Sequence, residues 1–519
     1  MHVIDLFDKG VRINPHALAF TGAGGDFTYT EAQVLTIRIA KTMRKLGYGA
    51  GSRFAGYSPN CGMAQIAILG GMRSGGIWCT VNLRNSLETN MELLKKHGCK
   101  VLFFHSSTAE QIRQVKEDVP SIKLLVCLDK KLDMAEFLLD WVKEADGRPE
   151  DYQIPENEIG FQGSTAGTTG LPKIAFATHG WALMSTIAWC ACLRFDVHPV
   201  NLAVTPVTHA AGPVVLGHLA IGGTTVMMER ADLDLMLENI PRYKVTSLFV
   251  PPTVLYMLLA HPKVRDYDYS SLRYVICSGS PLAPEKIIEG IDVFGPVMAQ
   301  GFGQTEACFP MTFISPQETA EAARDASKRH RLLSCGRPTV AVSAMEVMDD
   351  EGNILGPDTN GEIVLRGPTL IKGYLNDPEA TAEVQKYGWH HTGDIGYRDD
   401  EGYFYITDRK RDIIISGGFN IYPFEVEQVL LEHPSVQDCA VIGVPHEKWG
   451  EAVKAIVQLA PNASVTEEEL ISLCKGKIGG MKAPKSIDFW EELPRSDTGK
   501  ILKREIRKTY WGDRQRNVN

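Results

Sequence analysis

Ser164-Thr165-Ala166-Gly167-Thr168-Thr169-Gly170-Leu171-Pro172-Lys173 is a run of small and hydroxylated residues that closes on a lysine. Glycines let backbone N–H groups approach an anion, threonine hydroxyls add donors, and the lysine adds a point charge. Such a composition suits a loop that cradles phosphates. It is not the common P-loop, because Gly-x-x-x-x-Gly-Lys-Ser/Thr is absent and a proline precedes Lys173. Six further polar stretches follow in order: Ser278-Gly279-Ser280-Pro281-Leu282, Gln300-Gly301-Phe302-Gly303-Gln304-Thr305-Glu306, Trp389-His390-His391-Thr392-Gly393-Asp394, Asp408-Arg409, Ser416-Gly417-Gly418-Phe419-Asn420-Ile421-Tyr422-Pro423 and Pro494-Arg495-Ser496-Asp497-Thr498-Gly499-Lys500. The third of these ends in an acid able to hold two ribose hydroxyls, and the second sets a hydroxyl and a carboxylate just after a glycine turn. Each stretch alone reads equally well as a turn or a cap. Their succession behind a phosphate-type loop points to nucleotide chemistry.

The elements that must carry these residues are legible from periodicity. A helix is predicted over 30–46, stopped by Gly47 and Gly49, and strands over 53–57, 77–81, 100–105 and 124–128. Asn60 is a candidate cap for a helix to about 73, and another helix is predicted over 86–97. Alternating strands and helices imply parallel sheet with helices on its faces. Residues 143–158, polar and with two prolines, read as a connector between subdomains. The rhythm resumes with strands over 201–206, 224–228, 247–250 and 273–277, which suggests a second sheet. Beyond Gly336, short strands over 344–347, 361–366 and 403–407 separated by Asp/Gly/Asn turns suggest an antiparallel unit. The last segment reads as a small α+β unit, with strands over 440–444, 453–459 and 486–490 and helices over 425–431 and 467–477. The expected fold class is α/β, with a domain over 1–410 and a mobile α+β domain over 411–519.

Composition narrows the function classes. At 519 residues the chain exceeds one ordinary hydrophobic core. A net charge of −9 argues against a nucleic-acid partner; the dense basic runs are Arg409-Lys410-Arg411 and the tail after Lys500. Eleven scattered cysteines show no Cys-x-x-Cys pair and no zinc spacing, which suggests a reducing compartment. Cys190 and Cys192 read as packing residues of an apolar helix. No stretch approaches the ~20 apolar residues of a membrane span. The N-terminus lacks a signal-peptide pattern and the final Arg-Asn-Val-Asn is no peroxisomal address, so the expected location is the cytoplasm.

In order and spacing, the set resembles the adenylate-forming superfamily of acyl- and aryl-CoA synthetases, peptide-synthetase adenylation domains and beetle luciferases. The resemblance covers essentially the whole chain and is most specific at the glycine-threonine loop, Phe302-Gly303-Gln304-Thr305-Glu306, His391-Thr392-Gly393-Asp394 and Thr498-Gly499-Lys500. It implies ATP, Mg²⁺ and CoA, and two half-reactions: a carboxylate displaces pyrophosphate from ATP, then a thiol displaces AMP. By the family pattern Thr165 to Lys173 hold the β- and γ-phosphates, Thr305 contacts the α-phosphate and Glu306 ligates Mg²⁺. Gly279, Ser280 and Pro281 line the adenine, with Gly301, Phe302, Gly303 and Gln304 counted among the nucleotide-binding residues. Asp394 accepts from the ribose hydroxyls, Arg409 binds ribose or phosphate oxygens, and Lys500 bridges carboxylate and α-phosphate. Gly417 and Gly418 match the strip that lets pantetheine pass, and Arg411 sits at the hinge position, where Asp or Lys is commoner.

The resemblance also bears on the acid. Members that activate amino acids carry an aspartate in the segment that here reads Val207-Thr208-His209-Ala210-Ala211-Gly212-Pro213, with no acid to pair a buried ammonium. His209 is counted with the catalytic residues as a lining of the acyl pocket. Small Ala210, Ala211, Gly212 and Gly301 would leave room for a bulky or elongated apolar acid. The other readings are a stand-alone enzyme that loads a carrier protein, a luciferase-like oxygenase, and a non-catalytic nucleotide-binding sensor; intact Glu306, Asp394, Arg409 and Lys500 weigh against the last. The run Ile174-Ala175-Phe176-Ala177, where glycine-valine usually begins, reads as a buried strand. Ala166 stands where serine is usual, a loss of one donor and about 1 kcal/mol of binding. Ala166→Ser is therefore expected to leave ATP affinity equal or higher in a titration; a large loss of turnover would show that packing requires the alanine.

Overall fold

A computed structural model of the chain describes residues 1–165, 173–208, 211–280, 282–495 and 501–511. It is a mixed α/β fold with two large sheets, a small antiparallel sheet and a C-terminal α+β unit. Most predicted helices and strands stand where their signals lie. Thr28 and Glu31 form a reciprocal cap for the helix Tyr29–Lys45, and Ser86 caps Leu87–His97, which ends at Gly98 with φ +66°. The run after Lys173 forms the strand Ile174–Thr178. Among the described residues, no helix is long and apolar enough to cross a membrane.

The first sheet has eight strands, in the order Gly373–Tyr374, Ile174–Thr178, Ile159–Ser164, Ile77–Cys79, Arg53–Tyr57, Val101–Phe104, Leu124–Cys127, Glu136–Phe137. From Ile159–Ser164 onwards the pairs are parallel. At the other edge Ile174–Thr178 and then Gly373–Tyr374 add antiparallel. This order corrects one expectation and adds one finding. Residues 143–158 do not separate two sheets, because Ile159–Ser164 returns to the sheet the chain had just left. They run over its surface, tied down by Lys41–Asp146 at 2.6 Å and by Arg44, which pairs with Glu150 and lies 4.2 Å over the Tyr152 ring. The first strand of the chain, Leu18–Gly22, belongs to the second sheet, parallel to Thr224–Met227.

Asn60 is the other correction. The helix Gly62–Arg73 begins after Cys61 without a side-chain cap. Asn60 is buried and reaches across to the second sheet instead: its amide donates to the Thr205 carbonyl at 2.8 Å and its oxygen accepts from Val207 N–H at 3.0 Å. Its polar groups thus pin the segment that leads towards His209, a contact that local spacing could not announce.

The second sheet runs Val200–Ala203, Ser247–Val250, Tyr274–Cys277 and Met298–Gln304 in parallel, then turns back antiparallel through Ala307–Ile314. The antiparallel sheet comprises Ala344–Met348, Gly361–Arg366, His390–Arg398 and Phe404–Arg409. The strand His390–Arg398 was not foreseen, since His-His-Thr-Gly-Asp carries no apolar alternation. In the C-terminal unit, Phe419–Ile421, Ile414–Ser416, Gly450–Leu459 and Val436–His446 lie side by side, with Ser486–Phe489 parallel to Gly450–Leu459. Helices Pro423–Leu431 and Glu467–Lys482 pack Val426, Leu430, Leu470 and Cys474 onto one face, and Ile506 of Lys503–Trp511 closes the other.

His2, His97, His179, His218 and His390 are all buried. Burial is the main cause that draws His2 down to about 3 and the other four to about 4. In the unfolded chain a histidine titrates near 6.5, so between pH 6.5 and 4 the unfolded state binds more protons and stability falls as pH falls. Each tenfold difference in proton affinity between the two states is worth about 1.4 kcal/mol. Urea midpoints measured from pH 7 to 4.5 should decline progressively through that window; a flat profile would show that these imidazoles are open to protonation in the native state.

Candidate active site

Strands Ile159–Ser164 and Ile174–Thr178 pair antiparallel up to Ser164 opposite Ile174. Thr165 N–H then donates to the Lys173 carbonyl at 2.9 Å. The glycine-threonine loop therefore starts and ends at one point; its residues 166–172 lie outside the described residues. Against this mouth stands the hairpin that carries Thr305 and Glu306. A Cβ built at Gly163 would lie 2.6 Å from the Phe161 ring and 3.0 Å from the Thr305 methyl, so the bare glycine admits both, with Thr305 beside the loop. Glu306 is half-buried, accepts from the Tyr374 hydroxyl through Oε1 at 2.8 Å, and its carbonyl accepts from Ile371 N–H at 2.9 Å. The Lys173 ammonium lies 5.0 Å from the centre of the same Tyr374 ring and 3.9 Å from Asp377. Thr165, Lys173, Thr305 and Glu306 are thus assembled in one place, with Tyr374 and Asp377, which sequence reasoning missed, between them.

The glycine turn expected before Thr305 is instead strand. Gly301 and Gly303 lie inside Met298–Gln304, where a Cβ would come within 2.9 Å of the Phe309 ring and 2.7 Å of its backbone respectively. A Cβ at Gly212 would lie 2.5 Å from the Val207 carbonyl. The smallness of Gly212 and Gly301 is taken up by packing, not left open for an acyl group. Ala211 likewise lies in a core with Trp189, Phe249 and Phe309. His209 and Ala210 are outside the described residues. Phe302 and Gln304 are half-buried in the same strand.

Asp394 sits in His390–Arg398 directly opposite Arg409. The carboxylate is 5% exposed as a residue, and Arg409 Nε stands 3.3 Å from Oδ1. Gly279, with φ +98°, turns the chain after Tyr274–Cys277 and leaves Ser280 exposed; Pro281 is not described. Gly417 and Gly418 form the tip between Ile414–Ser416 and Phe419–Ile421, with φ +58° and +83°. Both are exposed, and nothing lies within 4 Å of a Cβ at Gly418. Lys500 lies outside the described residues.

Next to Arg409, Asp408 is buried and accepts from Phe424 N–H at 2.8 Å, in the first turn of Pro423–Leu431. Lys503 pairs with Glu427 at 2.8 Å and Arg507 with Asp412 at 2.7 Å. Burial pushes the Asp408 and Glu427 carboxyls up, against the opposing pull of Lys503. These charges bind the segment around Arg411, in the turn Lys410–Asp412, to the C-terminal unit.

A carboxylate with one oxygen fixed by a phenol, half-buried beside a lysine and hydroxyls, matches what Mg²⁺ asks of a protein. That ion takes one or two carboxylates and completes its shell with phosphate oxygens and water. A soft metal would need thiolate or imidazole donors, and Glu306 offers oxygen only.

The family model of AMP-binding enzymes matches residues 7–375, and that of the AMP-binding enzyme C-terminal domain matches residues 425–500. The chain is 33% identical to a feruloyl-CoA synthase from an Amycolatopsis species, over 97% of this chain and 98% of that one. It is 30% identical to an indoleacetate–CoA ligase from Aromatoleum aromaticum, over 98% of each. The amide bond synthetase McbA from Marinactinospora thermotolerans superposes with a TM-score of 0.88 at 28% identity, over 98% of this chain and 100% of that one.

Glu362 supports the turn before Asp394 and was not foreseen. It is buried, accepts from Gly393 N–H at 3.0 Å, and lies 3.1 Å from both His391 Nδ1 and Lys410 Nζ. Burial alone would raise its carboxyl, but the His391 hydrogen bond and Lys410 hold it below the usual range. Its contribution is therefore present above the unfolded carboxylate range and lost as pH falls through the lower native value. Glu362→Gln should cost about 1–3 kcal/mol in urea unfolding at pH 7. The cost should shrink on acidification below that range; an equal cost at all pH values would assign Glu362 a purely steric part.

Proposed function

The chain belongs to the AMP-binding enzymes, and from that premise we propose that it activates a bulky or elongated apolar carboxylic acid with ATP and passes the acyl group to CoA. It is an AMP-forming acid–thiol ligase of the acyl-CoA synthetase branch, working with ATP, Mg²⁺ and CoA. The observation that carries the reading is the assembly of Thr165, Lys173, Thr305 and Glu306 at the mouth of the loop. An apolar aryl or extended acid is favoured by two relatives named for feruloyl and indoleacetyl substrates and by the absence of an acid in residues 207–213.

In the first half-reaction a substrate carboxylate oxygen bonds to the α-phosphorus and the bond to pyrophosphate breaks. Anion approaches anion, so preorganised cations and donors dominate the barrier. Thr165, Lys173 and the loop between them hold the β- and γ-phosphates, and Thr305 holds the α-phosphate. Mg²⁺, when bound at Glu306, supplies neutralisation of the phosphate charge. Asp394 accepts from the ribose hydroxyls, Arg409 adds a cation to ribose or phosphate oxygens, and Gly279, Ser280 and Pro281 border the adenine. Lys500 bridges carboxylate and α-phosphate. In the second half-reaction the thiol sulfur bonds to the acyl carbon and AMP leaves.

We take residues 1–410 as the body and 411–519 as the unit that reorients about Arg411 between the two steps. The reorientation presents Gly417 and Gly418, bare enough for pantetheine to pass. The shared scaffold with an amide bond synthetase means that the acceptor is chosen by local groups; relatives named as CoA ligases favour CoA, while the exposed glycine tip would pass the pantetheine arm of CoA and of a carrier protein alike. Buried free thiols such as Cys79, Cys99 and Cys277 favour a reducing, cytoplasmic setting.

The test is pyrophosphate release across aromatic, aliphatic and amino acids, with and without CoA. Thioester formed only when a carrier protein replaces CoA would transfer the reading to that alternative. Lys500→Ala should slow acyl-adenylate formation by about 10²–10³ and leave thioester formation from supplied acyl-adenylate nearly intact. Gly418→Leu should do the reverse. Equal slowing of both steps by Lys500→Ala in single-turnover measurements would overturn the alternation of domains.

A further inference from the structure

Tyr374 joins two groups that belong to different parts of the chain. The segment that bears it is stitched on both sides. Ile371 N–H donates to the Glu306 carbonyl at 2.9 Å, and Leu370 bridges to Ala307, on the hairpin that carries Glu306. On the other side Lys372 N–H donates to the Phe176 carbonyl and Leu375 N–H to the Ile174 carbonyl, both at 2.8 Å, on the strand that follows Lys173. Tyr374 N–H donates to Thr381 Oγ1 at 2.9 Å, whose hydroxyl donates to the Asp377 carbonyl at 2.8 Å. The backbone of Tyr374 is thus fixed from three directions and the side chain is buried.

The two ends of that side chain act differently. The hydroxyl donates to Glu306 Oε1 at 2.8 Å, while the ring face lies under the Lys173 ammonium. An ordinary phenol is protonated at neutral pH, so the hydroxyl is the donor of this pair. Asp377, 3.9 Å from the same ammonium, also caps Pro378–Glu383 through Ala380 N–H. Asp377 thus sets a negative charge of fixed position beside the lysine that lies over the ring.

We infer that Tyr374 is a positioning residue for adenylation: its hydroxyl holds the Glu306 carboxylate in one rotamer while its ring seats Lys173, so that metal ligand and phosphate clamp keep a fixed mutual register. The inference rests on the reading of Glu306 as the Mg²⁺ ligand. A carboxylate free to rotate about its side-chain torsions must be ordered when the ion binds, and a fixed one need not be. The phenol takes one oxygen and leaves the other for the ion.

Tyr374→Phe keeps the ring and removes the donor; Tyr374→Leu removes both. The phenylalanine variant should need roughly tenfold more Mg²⁺ for half-maximal pyrophosphate release, the scale of one hydrogen bond to a charged group, with kcat recovered at saturating Mg²⁺. Mn²⁺ binding to the enzyme with a non-hydrolysable ATP analogue, followed by electron paramagnetic resonance, should weaken by a similar factor without turnover. Tyr374→Leu should in addition weaken binding of the analogue itself, and thioester formation from supplied acyl-adenylate should be unchanged in both. If Tyr374→Phe lowers kcat equally at all Mg²⁺ concentrations, or leaves Mn²⁺ affinity as in the unaltered protein, the inference is overturned. Glu306→Gln separates the two levels. If it raises the metal requirement while Tyr374→Phe does not, the metal assignment stands and the role of Tyr374 falls. If Glu306→Gln leaves the metal requirement unchanged, the assignment fails and takes the inference with it.

Discussion

A two-residue strand holds the site together. Gly373–Tyr374 pairs with Ile174–Thr178, and the residues just before it pair with the turn after Glu306. Backbone hydrogen bonds are directional and short, so this pairing sets the mutual placement of the site's parts. Loop mouth, carboxylate hairpin and tyrosine bracket come from regions widely separated in sequence. Closing such long loops costs chain entropy, which grows only slowly with loop length, and many cooperating contacts offset it. Ile371, Lys372 and Leu375 each contribute one of those contacts through the backbone, where side-chain identity matters least.

The second constraint is electrostatic and lies at the junction with the C-terminal unit. Asp408, buried, and Asp412 and Glu427, half-buried, face half-buried Lys503 and Arg507. A buried ion pair returns little net stability, because desolvation offsets much of the attraction, but loss of one partner leaves an uncompensated charge. Such a group therefore specifies one arrangement more than it strengthens it. Asp408 also satisfies an N–H in the first turn of Pro423–Leu431, so the strand bearing Arg409 and the helix behind the glycine tip share one carboxylate. The strand bearing Arg409 and the small unit meet at that hydrogen bond.

Glycine carried two meanings that residue identity does not separate. At Gly279, Gly417 and Gly418 a positive φ demands it. At Gly163, Gly301 and Gly303 the demand is steric, with Phe161 and Thr305 or with Phe309 filling the space of the absent side chain. The reading of Gly301 as room for substrate failed for this reason: emptiness at one residue is an invitation to its neighbour in a close-packed interior. Asn60 failed as a cap on similar grounds, since a buried amide is satisfied by whichever backbone comes nearest, here Thr205 and Val207.

What the sequence by itself determined was carried by local spacing. The helices over 30–46 and 86–97, the parallel rhythm of Arg53–Tyr57 and Ser247–Val250, the buried run after Lys173 and the order of the polar motifs depend on residues a few positions apart. The tertiary structure alone decided partners: Tyr374 on Glu306 across 68 residues, Glu362 under the Asp394 turn, Leu18–Gly22 in the second sheet and Ile159–Ser164 back in the first. The physical reason is that a hydrogen bond or an ion pair is indifferent to separation along the chain. Periodicity records which face of an element is buried, and only the packed chain selects what that face meets.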